Sequence, residues 1–270
     1  MGVVAAIQMT SGPDVGANLA DARVLLEEAA ARDAQLAALP ENFAFMGLRD
    51  VDKRGVAESD GSGAVQDFLA ETAQRLGLWI VAGTVPLRGA SDGRVAAACL
   101  VYDEHGERRA RYDKIHLFDV QVPGRAESYR ESAHIAPGVT PVVLDTPVGR
   151  LGLTVCYDVR FPELFRQLSA AGAQLFSVPS AFTEPTGRAH WETLVRARAI
   201  ENLCALIAPA QSGFHPNGRE THGDSLIVDH WGRILARLPR GRGCITARIE
   251  LEQLARDRHS FPALAHRVLP

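Results

Sequence analysis

Two pairs of segments repeat one another along the chain, and this repetition limits the possible folds more than any other feature. AQLAALPENF (residues 34–43) and AQLFSVPSAF (173–182) share A, Q, L, P and F in register. VYDEHGERRAR (101–111) and VDHWGRILAR (228–237) share an Asp, a Gly, an Ala and an Arg in register. Because the two matches occur in the same order, we infer a duplicated unit of strand, helix, strand, helix, strand and hairpin.

Within each half, apolar runs of strand length alternate with helical patterns. In the second half, LGLTVCYD is predicted as a strand, FPELFRQLSAAG as a helix started by Pro162, and AQLFSVP as the next strand. Two sheets that each carry helices on one face would bury their bare faces against each other. We therefore predict the α/β class and a four-layer αββα sandwich with an internal duplication, formed by one domain over residues 1–270.

Composition and charge exclude several other classes of protein. The 270 residues are 46% hydrophobic and carry a formal net charge of −3, which favours neither a nucleic-acid partner nor a membrane surface. No apolar run approaches the ~20 residues that a membrane-spanning helix needs, and the N-terminus lacks the basic start of a signal peptide. The four cysteines form no CxxC pair, so we predict a reducing, cytoplasmic location.

The ends of the predicted strands are where chemistry is expected, because ligands of mostly parallel sheets bind beyond the carboxyl ends of strands. PENF, VCYD and PSAF follow such strands, and the rims would come from loops 44–62, 119–138 and 211–223. In VCYDVRFPEL, Cys156 is either a buried core thiol or a nucleophile at the mouth of this site. A helix that begins near Pro162 would favour its thiolate and could donate to an oxyanion.

Two charged residues are further candidates. Glu41 is either an exposed loop carboxylate or a general base at the end of a buried strand. Lys114, in RYDKIHLFD, is an ordinary solvated charge unless the strands bring it beside Cys156 and Glu41. The residues by themselves leave these alternatives open.

Together, these segments resemble the nitrilase superfamily of carbon–nitrogen hydrolases over nearly the whole chain. The family's motifs stand here as PENF with Glu41, YDKIHLFD with Lys114 and VCYDVRFPEL with Cys156, in the family's order. A further family glutamate matches Glu131 in YRES. The resemblance implies that these four residues are catalytic, and the family's αββα sandwich agrees with the duplication.

The resemblance also implies a mechanism. Glu41 would take the proton of Cys156, whose thiolate attacks an amide carbon. Lys114 and the backbone N–H of Tyr157 would stabilise the oxyanion, and Glu131 would orient Lys114. The expected result is hydrolysis of a linear, small-molecule amide with release of ammonia, without a metal or an organic cofactor.

Within the superfamily, AHWETLVRARAIE and AQSGFHPNGRETHGDSLIVDHWG most resemble the deaminated glutathione amidases. Omega-amidases acting on α-ketoglutaramate come next, and other amidases or carbamoylases of the family stay open. Substrates of both leading types carry carboxylates, which arginines at the rim of the site would bind. The rim candidates are Arg125, Arg130, Arg160 and Arg219, and the further substrate-binding candidates are Tyr129, Ser180 and Thr183.

Arg160 has a second interpretation, because it could instead pair with Asp158 or Glu163 and brace the nucleophile loop. A hydrolase with Ser180 as nucleophile lacks the GxSxG motif, and a nucleotide-binding module lacks GxGxxG. A non-catalytic interaction protein on the same fold is disfavoured because all four family residues are retained. The resemblance implies a homodimer or a higher homo-oligomer that packs through helices near residues 161–172 and 187–203.

Overall fold

The computed structural model describes residues 2–89, 92–122 and 128–268. The strands of the first half are β1 (Gly2–Gln8), β2 (Leu36–Ala38), β3 (Trp79–Val81), β4 (Val85–Leu87), β5 (Val95–Tyr102), β6 (Arg108–Asp113), β7 (Asp119–Gln121), β8 (Ser128–Arg130) and β9 (Ile135–Ala136). The later strands are β10 (Val142–Thr146), β11 (Gly149–Leu153), β12 (Leu175–Ser177), β13 (Ala205–Ala208), β14 (Ser212–Phe214), β15 (Glu220–His222), β16 (Ser225–Val228), β17 (Ile234–Leu238) and β18 (Gly243–Ile249). The α-helices are α1 (Val15–Ala31), α2 (Ala64–Leu76), α3 (Pro162–Ala170), α4 (Glu184–Asn202) and α5 (Leu251–Ser260), and short 3₁₀ helices cover Asp50–Arg54, Glu131–Ala133 and Cys156–Arg160.

The two large sheets have the same internal topology. In the first, β1, β2 and β3 are parallel neighbours, β5 pairs antiparallel with β3, and β6 pairs antiparallel with β5. In the second, β11, β12 and β13 are parallel neighbours, β16 pairs antiparallel with β13, and β17 with β16. The sheets also share an outer antiparallel strand, β18 beside β1 and β10 beside β11. The repeated strand order confirms the internal duplication.

The two repeated hairpins explain which residues the duplicated segments share. Asp103 accepts hydrogen bonds from the backbone N–H groups two and four residues later, at 3.0 and 2.9 Å. Asp229 does the same at 2.9 and 2.8 Å. Gly106 and Gly232 lie at φ +78° and +81°, a region that favours glycine. The shared Asp and Gly are therefore the residues that close each turn.

The order of the layers follows from the alternation of side chains between the two faces of each strand. In β1, Val4 and Ala6 belong to the core cluster that contains the second sheet, whereas Ala5 and Ile7 belong to the cluster that contains α1 and α2. Successive side chains of a strand point to opposite faces, so each sheet is covered on both faces. On the other side, α3 and α4 pack on the second sheet. The order is helices, sheet, sheet, helices, which confirms the predicted αββα sandwich.

The prediction for the nucleophile strand was partly wrong. The strand β11 ends at Leu153, and Cys156 instead begins a 3₁₀ helix that precedes α3. The Val155 N–H donates to the Asp158 carboxylate at 2.8 Å, while the Asp158 N–H donates back to the Val155 carbonyl at 3.0 Å. This reciprocal turn removes the backbone from the sheet two residues after the strand. The start of α3 at Pro162 is as predicted.

None of the helices in the described ranges combines the length and the apolar character needed to cross a membrane. The cytoplasmic location stays a prediction.

Candidate active site

The four residues singled out as catalytic line one cavity beyond the strand ends. Glu41 lies three residues past β2, and Lys114 directly follows β6. Cys156 lies three residues past β11, and Glu131 begins the short helix after β8. Parallel strands end at one edge of their sheet, so the two facing sheets bring these segments together.

The segment that carries Glu41 is held by close backbone packing. Gly83, at φ +49°, follows β3, and a Cβ atom built there would lie 2.0 Å from the carbonyl oxygen of Pro40. Only glycine permits this approach. The N–H of Asn42 donates to the Thr84 hydroxyl at 2.9 Å. The PENF loop is therefore fixed on both sides of Glu41.

Lys114 is the centre of the charged cluster. Its Nζ donates to Glu41 Oε1 at 2.7 Å and to Glu131 Oε2 and Oε1 at 2.9 and 3.1 Å, and only 1% of the residue is exposed. Burial by itself would lower the pKa of Lys114, but the carboxylates of Glu131 and Glu41 outweigh it and hold the pKa well above its usual value. The lysine is therefore a permanent ammonium.

Glu131 is ionised for the complementary reason. Burial would raise its pKa, but Lys114 and, beyond it, Lys53 outweigh burial and lower the pKa below the usual value. The Phe118 N–H also donates to Glu131 Oε2 at 2.7 Å. Glu131 is thus a carboxylate fixed by the Phe118 N–H and by Lys114, which it shares with Glu41.

Cys156 rests as a thiol. Burial raises its pKa well above the usual value, and the Glu41 carboxylate raises it further, while Lys114 acts in the opposite direction. Burial therefore outweighs any effect of the following helix on the pKa of the thiol, and a base must take the proton, which is the role expected of Glu41.

The backbone of Cys156 is strained and firmly held. Its φ is +48°, in the left-handed region that side chains rarely adopt. The Cys156 N–H donates to the Pro179 carbonyl at 2.9 Å. The next N–H, that of Tyr157, has no acceptor among the residues that the structure describes. Such strain with a free donor beside a cavity is typical of sites where the protein geometry is arranged for a ligand.

Asp158 ties the lysine segment to the cysteine loop. Its buried carboxylate accepts from the Tyr112 hydroxyl at 2.7 Å and from the His116 N–H at 3.1 Å, and it lies 2.7 Å from His116 Nδ1. Tyr112 and His116 stand two residues before and two residues after Lys114. Sequence reasoning considered Asp158 only as a partner of Arg160. The one available signal was this regular spacing around the lysine.

Arg160 does not take the bracing role that was considered for it. Within the described part of the chain, it forms no ion pair with Asp158 or Glu163. Its guanidinium carbon lies 5.8 Å from the ring centroid of Tyr157 and 5.2 Å from that of Phe182, and Nη1 is 3.2 Å from His190 Nδ1. Arg160 lines the cavity, so a substrate group can reach its charge.

The other substrate-binding candidates divide into two groups. Tyr129, Thr183 and Arg219 line the cavity. Ser180 does not line it: the residue is fully buried and its hydroxyl donates to the Val178 carbonyl at 3.0 Å. Arg130 is likewise absent from the cavity wall. Arg125 lies outside the described residues.

Sequence reasoning missed several residues of the cavity wall. Lys53 and Asp50 come from the short helix Asp50–Arg54, within the predicted rim loop 44–62. His134 and Phe118 flank the Glu131 segment. Lys53 and Lys114 are the only two lysines in the sequence, but no local motif marks Lys53 as part of a site. Only the tertiary structure brings Lys53 to the cavity that Glu131 lines, where its charge acts on that carboxylate.

A buried lysine between two glutamates, beside a thiol at a strained turn, is the arrangement expected for amide hydrolysis. Comparison with known families agrees, since the family model "Carbon-nitrogen hydrolase" matches residues 3–259. The chain belongs to the carbon–nitrogen hydrolase family. It is therefore a hydrolase of the nitrilase superfamily, acting on carbon–nitrogen bonds of the amide type.

Relatives and solved structures support the same assignment. A deaminated glutathione amidase of Synechocystis sp. is 44% identical over 269 residues, covering 98% of each chain. The crystal structure of the C. elegans NitFhit protein has a TM-score of 0.92 at 38% identity, over 99% of this chain and 65% of that one. A variant of the amidase from Nesterenkonia sp. AN1, with acrylamide added at its active-site cysteine, has a TM-score of 0.81 at 28% identity, over 97% and 98% of the two chains.

Proposed function

We propose that this carbon–nitrogen hydrolase is a cysteine-dependent amidase that hydrolyses the amide bond of deaminated glutathione. The observation that carries the catalytic part is the position of Lys114 Nζ, 2.7 Å from Glu41 and 2.9 Å from Glu131, beside the Cys156 thiol. The substrate is supported by the similarity to the Synechocystis amidase and by cations in the cavity wall.

The first step is proton transfer within the cluster. Glu41 accepts the thiol proton of Cys156 as sulfur attacks the carbonyl carbon of the amide. Proton transfer leaves Glu41 neutral and moves the negative charge to the sulfur, so the net charge of the buried cluster stays constant. A thiol that rests protonated is compatible with attack, because the base lines the same cavity and its charge already acts on the thiol.

The carbonyl oxygen becomes an oxyanion that needs donors. An ammonium has three N–H donors. Lys114 Nζ donates to Glu41 Oε1 and to both carboxylate oxygens of Glu131, so an N–H becomes available to the oxyanion when protonation of Glu41 weakens its bond to the lysine. The unpaired N–H of Tyr157 supplies a second donor from the residue that follows the nucleophile. Donors fixed in advance stabilise developing charge without rearrangement.

Collapse of the tetrahedral intermediate breaks the carbon–nitrogen bond. Protonated Glu41 gives its proton to the departing amine, which leaves a thioester on Cys156 and a carboxylate on Glu41. Glu41 then takes a proton from water, the resulting hydroxide attacks the thioester, and the acid product leaves as Cys156 recovers its proton. One carboxylate thus serves as base and acid in both half-reactions.

The acyl part of the substrate is recognised by cations that have no carboxylate partner among the described residues. Lys53 and Arg160 line the cavity, and neither forms an ion pair within the described part of the chain. Carboxylate recognition by such groups is favourable because the pair is formed in a partly desolvated site. We assign the α-keto carboxylate of the substrate to Lys53 and Arg160.

The leaving group depends on which substrate the enzyme takes. Ammonia, expected from sequence, leaves only from a primary amide such as α-ketoglutaramate. In deaminated glutathione the amide joins the α-keto acid to cysteinylglycine, so the product amine is the dipeptide. The expectation of ammonia therefore applies to the omega-amidase alternative alone.

A substrate panel tests the proposal. Purified enzyme is given deaminated glutathione, α-ketoglutaramate, a carbamoyl amine and a simple nitrile, and acid and amine products are quantified. We expect the highest kcat/KM for deaminated glutathione. A higher value for the primary amide would assign the enzyme to the omega-amidases, and preference for the nitrile would overturn the amidase assignment.

Assembly into homodimers is a separate proposal, carried by exposed apolar side chains near the outer helix α4. Ile200, Trp231 and Phe261 are 47%, 47% and 54% exposed, and the rings of the last two lie 5.6 Å apart. Light scattering on the wild type and on Trp231→Ser tests it. A dimeric mass that becomes monomeric in the variant is expected, and a monomeric wild type would contradict the proposal.

A further inference from the structure

A second cavity adjoins the catalytic one. It has a volume of about 370 Å³, and its wall includes Tyr129, Glu184, Phe214, Asn217, Arg219 and Glu220. Tyr129 and Arg219 also belong to the wall of the catalytic cavity. These two side chains therefore form the partition between the cavities.

The partition is a stacked pair. The guanidinium carbon of Arg219 lies 4.7 Å from the centroid of the Tyr129 ring. Both backbone groups of Arg219 are hydrogen-bonded. Its N–H donates to Asn217 Oδ1 at 3.0 Å, and its carbonyl accepts from the His215 N–H at 2.9 Å. The guanidinium is thus presented from a fixed turn, with one face covered by an aromatic ring.

Arg219 differs from the other arginines at this edge. Arg188 pairs with Glu184 at 2.7 Å, and Arg240 pairs with Glu184 at 3.2 Å and with Glu220 at 3.5 Å. Arg219 forms no ion pair within the described residues, and its Nε is buried without a hydrogen-bond partner. A buried donor of a charged group is costly to leave unpaired. The geometry therefore leaves a position for an external acceptor.

We propose that the outer cavity is a leaving-group subsite, in which Arg219 binds a carboxylate on the amine side of the scissile amide. This inference rests on the proposed function. Two residues fully extended span about 7 Å, so a dipeptide amine can reach from the catalytic cavity past the partition. Ammonia, by contrast, cannot use the subsite. Arg219 and Tyr129 then set the preference for long, acidic amines over primary amides.

Three substrates with the same α-ketoglutaryl group test the subsite. They are the amide of cysteinylglycine with a free carboxylate, the same compound with a C-terminal carboxamide, and α-ketoglutaramate. For the wild type we expect kcat/KM to be about 10- to 100-fold higher for the free carboxylate than for the carboxamide, as a charge-assisted pair predicts.

Variants separate the subsite from general damage. In Arg219→Gln the preference for the free carboxylate should fall to about one, mainly through KM, and Arg219→Lys should keep part of it. Arg240→Gln removes a cation at the same edge that is already paired, so it should keep the wild-type preference. Arg219→Met serves as a second neutral variant if the glutamine variant folds poorly, as judged by circular dichroism.

Two results would overturn the subsite alone: a wild type that does not distinguish carboxylate from carboxamide, or an Arg219→Gln or Arg219→Met variant that keeps the preference. A wild type that hydrolyses none of the three substrates would overturn the proposed function, and the subsite with it.

Discussion

The buried charged cluster and the cavity rim use the same residue types in opposite ways. In the cluster, Lys114 and Glu41 are 2% and 6% exposed at the side chain, and the ammonium lies between two carboxylates. At the rim, Arg160 and Arg219 face the same cavity without a carboxylate partner in the described residues. The catalytic charges are paired with opposite charges within the protein and so keep their geometry. The charges at the rim gain an oppositely charged partner only when a ligand binds. The two regions should therefore respond differently to substitution.

The largest effect is expected at the nucleophile. Cys156→Ser should lower kcat at least about 10⁴-fold, because a serine hydroxyl is a far weaker nucleophile in this site. Single-turnover product release measures it. Cys244→Ser, at another buried thiol away from the cavity, is the matched control and should retain activity. Comparable activity in both variants would contradict the assigned role of Cys156.

The next effect is expected at the carboxylate behind the lysine. Glu131→Gln should lower kcat about 10²- to 10³-fold, since an oxyanion donor left without its partner is misplaced. Glu163→Gln changes an exposed carboxylate on α3 and should have little effect. Steady-state kinetics with saturating substrate compares the two. If Glu131→Gln raised only KM, Glu131 would act in substrate binding and would not be part of the catalytic cluster.

Asp158 tests whether the brace between the lysine segment and the cysteine loop is needed for rate. Asp158→Asn should lower kcat about 10- to 100-fold and destabilise the fold by about 1–3 kcal/mol, because a buried acceptor of several hydrogen bonds is replaced. Urea unfolding and the rate of Cys156 alkylation measure the two effects. Asp113→Asn, which affects an ion pair with Arg111, is the control. A stability loss with unchanged kcat and alkylation would make Asp158 purely structural.

The rim is expected to respond through binding. Arg160→Gln should raise KM for α-keto acid amides about 10- to 100-fold with kcat changed little, because the interaction exists before and during reaction. The effect should shrink for a substrate whose α-carboxylate is replaced by a neutral group. An equal loss with both substrates would show that Arg160 does not bind that carboxylate.

The smallest effect concerns stability against pH. The folded state lowers the pKa of Glu131, so its contribution is fully present above the unfolded pKa, about 4.3, and is lost as the pH falls through the folded pKa. The free energy of unfolding should decline on acidification in this range, and less steeply in Glu131→Gln. Identical slopes would indicate that other carboxylates dominate the acid limb.

Much of the architecture could be predicted because local sequence patterns determine it. The alternation of strands and helices and the repeated Asp and Gly of the two hairpins were sufficient for the αββα sandwich. That residues 1–270 act as one domain stays a prediction. The family motifs identified Glu41, Lys114, Glu131 and Cys156, and the fold brings them to one cavity.

Other parts of the site could not be predicted from neighbours in sequence. Ser180 occupies the position of Glu41 in the second repeat, yet its hydroxyl is bound to the Val178 carbonyl and does not reach the cavity. Lys53 stands in no motif that would assign it to the site. Local sequence also does not show that burial and a nearby carboxylate outweigh the effect of the helix end on the pKa of Cys156.

The sequence by itself therefore determined the order of elements, the duplication and the identity of the reacting groups, since these depend on period, turn chemistry and residue type. Only the tertiary structure decided which charges are paired and which are free. That distinction depends on distances of a few ångströms between segments 17 to 73 residues apart, as for Lys114 with Glu131 and Glu41, and on how far each group is removed from water. It separates Lys114, held between two glutamates, from Arg219, whose buried Nε has no hydrogen-bond partner in the part of the chain that the structure describes.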